Sequence, residues 1–164
     1  MTVFDAIKNR RSIRKYKDVP VPEDKLARVL EAARIAPSAG NRQEWKFIVV
    51  KDKATRDRLV DACRGQAFVG QAGVVVVACA TDPSRKWHMV DVAIAVDHMT
   101  LAAHEAGLGT CWIGAYEEDK VKEILGIPAG IKVVVLLPVG VPDIDGVPRP
   151  RKSLEEIVAW ERWS

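Results

Sequence analysis

An α/β or α+β sheet sandwich is the fold that the sequence predicts, and three observations predict it. Short apolar runs alternate with helical patterns along the chain. Residues 74–80, Val-Val-Val-Val-Ala-Cys-Ala, form a continuous apolar run, the pattern of a strand buried on both faces. Residues 89–106 are helical in character but apolar nearly all round, including Val90, Val92, Ile94, Val96, Met99 and Leu101. Such a helix must be enclosed, by its own core or by a partner subunit.

The elements follow in order. Thr2 with Asp5 three residues on resembles a capping arrangement, so a first helix is expected there, carrying Arg10 and Arg11 near its end. Val19-Pro20-Val21-Pro22 ends any helix, because proline lacks the donor and restricts its predecessor. Residues 23–35 place Leu26, Val29, Leu30 and Ala33 at helical spacing, with Glu23 and Asp24 at the N-terminus and Arg34 at the C-terminus. Residues 37–41 make a loop. A short strand is expected at 47–50, a charged helix at 54–62, then the buried strand and the long apolar helix, which Gly107 caps. Residues 111–115 and 133–139 supply two more strands, with a helix at 119–125 between them. Residues 154–163 close the chain.

A chain of 164 residues is most simply one domain, 1–164, with no repeat or linker. Its net charge of +3 is too mild to argue for nucleic acid as the partner. No apolar stretch approaches a membrane span, and Met1-Thr2-Val3-Phe4-Asp5 runs into charged sequence, so no membrane and a cytoplasmic location are expected. Cys63, Cys79 and Cys111 are odd in number and far apart, which favours reduced thiols.

Local clusters carry the chemistry. Six basic residues fall within residues 8–17, and Ser12 sits among Arg10, Arg11 and Arg14. Guanidinium forks match phosphate oxygens in pairs, and a hydroxyl can fill a remaining position. A second basic knot, Arg149-Pro150-Arg151-Lys152, follows the turn-rich 142–146. Two such clusters could converge on one dianion, although either alone could be a solvated surface. Pro37-Ser38-Ala39-Gly40-Asn41-Arg42-Gln43-Glu44-Trp45 is the other dense loop. Its small residues allow close approach of a planar ligand, and Asn41 and Gln43 offer donor and acceptor together. Residues 107–116 are glycine-rich but have neither the spacing nor the context of a dinucleotide fingerprint. His88, Asp91, Asp97, His98 and His104 lack tight metal-ligand spacing, so structural or surface roles are expected and no metal.

Together these segments resemble the FMN-dependent nitroreductase family over nearly the whole chain. The resemblance rests on the Arg10-Arg11-Ser12-Ile13-Arg14 opening, the loop 37–45, the helix and turn 91–112, and the closing Arg149-Pro150-Arg151 with Leu154-Glu155-Glu156-Ile157. It implies an α+β nitroreductase-like sandwich, a central mixed β-sheet flanked by helices, in an intertwined homodimer sharing two flavins. It also implies an oxidoreductase in which NAD(P)H passes hydride to FMN, which reduces a nitroaromatic, quinone or similar small-molecule oxidant. Carried over by position, Arg10, Arg11 and Ser12 hold the FMN phosphate and ribityl end with Arg149 and Arg151, and Arg14 lies near the flavin N1/C2=O edge. Pro37, Ser38, Ala39, Asn41 and Gln43 belong to a segment that reaches the flavin from the other subunit. Gly114 and Ala115 supply backbone near flavin N5, and no side chain acts as a catalytic nucleophile. Other readings are a flavin-binding or storage protein with negligible turnover, and a specialised relative performing reductive dehalogenation or flavin breakdown. The chain departs from the family pattern at Glu44, often proline, at Gly114, acidic in larger members, and in the short stretch between residue 80 and the long helix.

Overall fold

The computed structural model describes residues 1–163. Helix α1, Val3–Asn9, starts at the expected cap: Thr2 N–H donates to Asp5 Oδ2 at 2.8 Å, and Asp5 N–H donates to Thr2 Oγ1 at 3.1 Å. It ends before the arginines, contrary to the sequence expectation. Arg10 is already extended, because Ile13 N–H donates to Thr110 O at 2.9 Å and draws the chain toward the sheet. Helix α2 spans Glu23–Arg34 and strand β1 spans Trp45–Val50. Strand β1 starts two residues earlier than expected because its ladder runs from Trp45↔Ala80 to Val50↔Val75.

Asp52 caps α3, Lys53–Ala62, by accepting from Thr55 N–H at 2.8 Å. A four-residue helix, α4 (Phe68–Gln71), follows; it is too short to leave a periodic signal. Strand β2, Val74–Ala80, leads through a brief connection to α5, His88–Glu105. At the end of α5, Gly107 N–H donates to His104 O and Leu108 N–H to Ala103 O, the paired bonds of a Schellman cap. Strand β3 is only Gly109–Thr110, and α6 (Glu118–Leu125), β4 (Lys132–Gly140) and the single turn α7 (Leu154–Ile157) complete the order.

The strand expected at 111–115 is thus displaced and broken. Cys111 N–H reaches Pro138 O at 3.4 Å, but proline has no N–H to return the bond, so the ladder lapses until the isolated Ile113–Leu136 bridge.

The sheet order is β1-β2-β4-β3, and every ladder is antiparallel. This corrects the expected mixed sheet: the Ser12–Thr110 bridge is its only parallel pairing among the described residues. Strand β2 is buried throughout because helices cover both faces, whatever the direction of its neighbours. Val74, Val76, Ala78 and Ala80 join a core with α2 and α5, including Val29, Val92, Val96 and Met99. Val75, Val77 and Cys79 join Leu59, Ala62 and Val121 on the other face. Each fully buried valine contributes roughly 1.5–3 kcal/mol, and a one-residue register slip would exchange the two sets. Helix α5 sends Val92, Ala95, Val96, Met99 and Ala103 into the first core but leaves Met89 and Val90 exposed. Among the described residues no helix is long and apolar enough to cross a membrane.

Candidate functional site

The basic segment is stitched to the sheet as an irregular extra edge. Ile13 N–H bonds Thr110 O, Lys17 N–H bonds Val141 O at 2.9 Å, and Asp143 N–H bonds Lys15 O at 3.1 Å. Ile13 and Tyr16 are buried, while Ser12 and Arg14 are exposed. The inward side chains fit against glycines: a Cβ on Gly109 would lie 2.7 Å from Ile13 Cγ1, and one on Gly140 2.7 Å from Tyr16 Cδ1. Tyr16 Oη donates to Ile13 O at 2.8 Å, and burial raises the Tyr16 phenol far above its ordinary value. A neutral, hydrogen-bonded tyrosine therefore pins the segment from beneath, and the alternation of the backbone turns Ser12 and Arg14 outward.

Ahead of this edge lies a cavity of about 520 Å³. Arg10, Arg11, Ser12 and Arg14 line it together with Arg149 and Arg151, so the two basic clusters do converge. Lys8 adds a sixth cation and Asp145 a single carboxylate, while Phe4, Ile7, Ile144 and Val147 supply apolar wall. Arg11 is braced from below, with Nη1 donating to Lys8 O at 2.7 Å and to Arg10 O at 2.8 Å. Among the described residues none of the five arginines has an ion-pair partner. Five guanidiniums around one cavity, with a single carboxylate and, among the described residues, no ion pair to any of them, fit a dianionic phosphate. Lys8 was counted in the basic stretch without being assigned to the site, and Asp145 and the apolar wall were missed in the sequence. Phe4 and Ile7, exposed apolar residues one turn apart, were the available signal.

The loop after α2 does not line this cavity, and neither do Gly114 and Ala115. Pro37 leads into a 3₁₀ turn at Ala39–Asn41, where Gly40, Asn41 and Gln43 have φ of 62°, 54° and 56°. Asn41 N–H donates to Ser38 O at 2.9 Å and Gln43 N–H to Ser38 Oγ at 3.0 Å. Ala39 N–H donates to Asp91 Oδ1 on α5 at 3.0 Å, a tie that sequence reading missed because its partners are 52 residues apart. Glu44 faces Arg85, which lies in the short β2–α5 connection, at 3.9 Å, and Arg85 also pairs with Asp82 at 3.2 Å. The loop is thus tied to α5 and to its approach. Gly114 and Ala115 are exposed beyond the Ile113 bridge, and Ala115 O accepts from Gln66 Nε2 at 3.3 Å.

Behind the arginines, Arg10, Arg11 and His104 line a second cavity of about 320 Å³. Burial and the charges of Arg10 and Arg11 hold His104 below its ordinary value, and its Nε2 is buried without a partner. The thiols are inert in character. Burial pushes Cys63 and Cys79 up to about 11 and raises Cys111, although Arg14 and Ser12 beside Cys111 oppose the rise.

The geometry agrees with comparisons to known proteins. The nitroreductase family profile matches residues 7–80 and 63–141. An NADH dehydrogenase of Thermus thermophilus is 31% identical over 188 residues, covering 92% of each chain. An FMN reductase [NAD(P)H] of Bacillus subtilis is 29% identical over 178 residues, covering 94% of this chain and 72% of the relative. The solved structure of an FMN-dependent nitroreductase from Clostridium difficile superposes with a TM-score of 0.86 at 31% identity, covering 98% of this chain and 99% of that one. With most of its length matched in sequence and its whole fold matched in space, the chain belongs to the nitroreductase family.

Proposed function

We infer that the chain is an FMN-dependent NAD(P)H oxidoreductase. The single observation that carries this reading is the convergence of Arg10, Arg11, Arg14, Arg149 and Arg151, without acidic ion-pair partners among the described residues, on one cavity in a nitroreductase fold. Bound FMN supplies a hydride acceptor and donor between NAD(P)H and a nitroaromatic, quinone or similar oxidant. Arg10, Arg11, Ser12, Arg149 and Arg151 hold the phosphate and ribityl end. Arg14 projects from the exposed side of the same segment, where its charge favours negative charge on the flavin N1/C2=O edge. Gly114 and Ala115, exposed beyond the Ile113 bridge, would supply backbone toward the flavin N5.

Pro37, Ser38, Ala39, Asn41 and Gln43 complete the site from a second copy of the chain. Their absence from the phosphate cavity of their own chain supports that reading. So does the apolar surface left by one chain: Phe4, Ile7 and Ile35 on the body, and Leu154, Trp160 and Trp163 on the tail, the last 98% exposed. The homodimer, single domain and cytoplasmic location belong to this proposal. The test is anaerobic mixing of flavin-loaded protein with NADH or NADPH, then with a quinone or nitroaromatic. Bleaching by a nicotinamide and recolouring by the oxidant are expected. A loaded protein that neither nicotinamide bleaches is a flavin carrier and overturns the oxidoreductase reading.

A further inference from the structure

We propose that Gly146 is the positioning residue that sets the spacing between the two arginine clusters, and with it the preference for a phosphorylated flavin. The inference rests on the FMN reading and assigns a role to a residue that contacts the cavity without offering it any side chain. Residues 141–143 are fastened to the basic segment by the Lys17–Val141 and Lys15–Asp143 backbone bonds, the Tyr16–Pro142 bridge and the Lys15–Asp143 ion pair at 2.9 Å. Beyond Asp143, the strap through residue 152 makes no hydrogen bond to the body of the chain among the described residues. Its position over the cavity is decided by packing.

The closest packing is at Gly146. A Cβ built there would run into Arg11 Cβ, lie 2.7 Å from Arg11 Cγ and approach Ile13 Cδ1 to 3.2 Å. Arg11 Cβ is fixed by the backbone and cannot swing aside as a side-chain tip would. Gly146 is not among the glycines with left-handed φ, so what opposes alanine there is this collision and not a left-handed backbone. Carbon atoms prefer separations near 3.5–4.0 Å, so a methyl group must lift the strap or push Arg11 by roughly an ångström or more. Arg149 and Arg151 lie three and five residues along the strap, and Arg11 lines the same cavity. Either displacement widens the gap that a single phosphate must bridge. Ligand sites lose their grip once geometry departs by about half an ångström.

The experiment compares FMN with riboflavin on the stripped full-length protein, for wild type, Gly146→Ala, Arg11→Gly and the double variant, with Gly130→Ala as a control in open space. Gly146→Ala is expected to raise the FMN dissociation constant roughly ten- to hundredfold and to leave that of riboflavin unchanged. Arg11→Gly removes the atoms that collide, so adding Gly146→Ala to it should change FMN binding little. Equal loss of FMN and riboflavin, failure of Gly146→Ala to fold in either background, or undiminished preference for FMN overturns the proposal. Equal affinity of wild type for FMN and riboflavin would instead overturn the phosphate site on which it rests.

Discussion

Removal of the Asp91 carboxylate should release the Ser38–Gln43 loop. The bond from Ala39 N–H to Asp91 Oδ1, 3.0 Å long and partly buried, has a charged acceptor and contributes roughly 1.5–3 kcal/mol. The two bonds to Ser38 add about 0.5–1.5 kcal/mol each. Against them stand Asn41 and Gln43, both at left-handed φ, which costs Gln43 roughly 1–2 kcal/mol and Asn41 less, since asparagine adopts that region more readily. Asp91 thus supplies about half or more of the anchoring, and without it the remaining bonds, roughly 1–3 kcal/mol together, are only comparable with the strain. Asp91→Ala should therefore free the loop, and Asp91→Asn, which keeps a neutral acceptor, should do so partially. Amide hydrogen exchange at Ala39 and Asn41 reads the loop directly, and an FMN titration reads its consequence. The unfolding midpoint should fall only modestly, by about 2–4 °C per kcal/mol for a chain of this size. Unchanged Ala39 protection in Asp91→Ala would show that the Asp91 bond does not hold the loop. Faster exchange with unchanged FMN affinity would separate the loop from the cofactor.

Other outcomes follow from the same geometry. Arg11→Ala and Arg151→Ala should each weaken FMN binding by roughly 10- to 100-fold, as expected for loss of a charge-assisted bond, whereas FMN-saturated Arg14→Ala should show a lowered flavin potential; an unchanged potential removes Arg14 from the N1/C2=O edge. Mixing Asn41→Ala and Arg11→Ala subunits, with exchange verified by mass, should give activity above both parents, because one site per heterodimer is intact; no gain refutes site sharing. His104 has its folded value held below the unfolded 6.5, so the unfolded chain binds more protons between those values. The His104 contribution to stability is thus full above pH ~6.5 and is lost as pH falls through the depressed value. His104→Gln should flatten stability against pH there, and an unchanged slope would count against the buried neutral ring. Cys63, Cys79 and Cys111 should resist a thiol reagent at pH 8 until the protein unfolds, and fast labelling of the native protein would contradict their burial.

Local chemistry was legible in the sequence wherever near neighbours decide it. The Thr2–Asp5 cap, the proline break before α2, the Gly107 terminus of α5 and the all-apolar β2 run depend on residues a few positions apart, and each stands as read. The basic composition of residues 10–14 and 149–151 was likewise plain, because charge needs no fold to be counted. What the sequence left open depended on partners brought from afar. Pro138 breaks the ladder opposite Cys111, Thr110 pulls Ile13 out of any helix, and helices on both faces bury β2 within an antiparallel sheet. Asp91 holds a loop 52 residues earlier. Gly146 is one turn glycine among others in sequence; in the fold it is the point where the second basic cluster rests against Arg11. Residue types set which charges were available, and only tertiary packing set the distances between them, because those distances arise from steric fit across 135 residues of chain from Arg11 to Gly146.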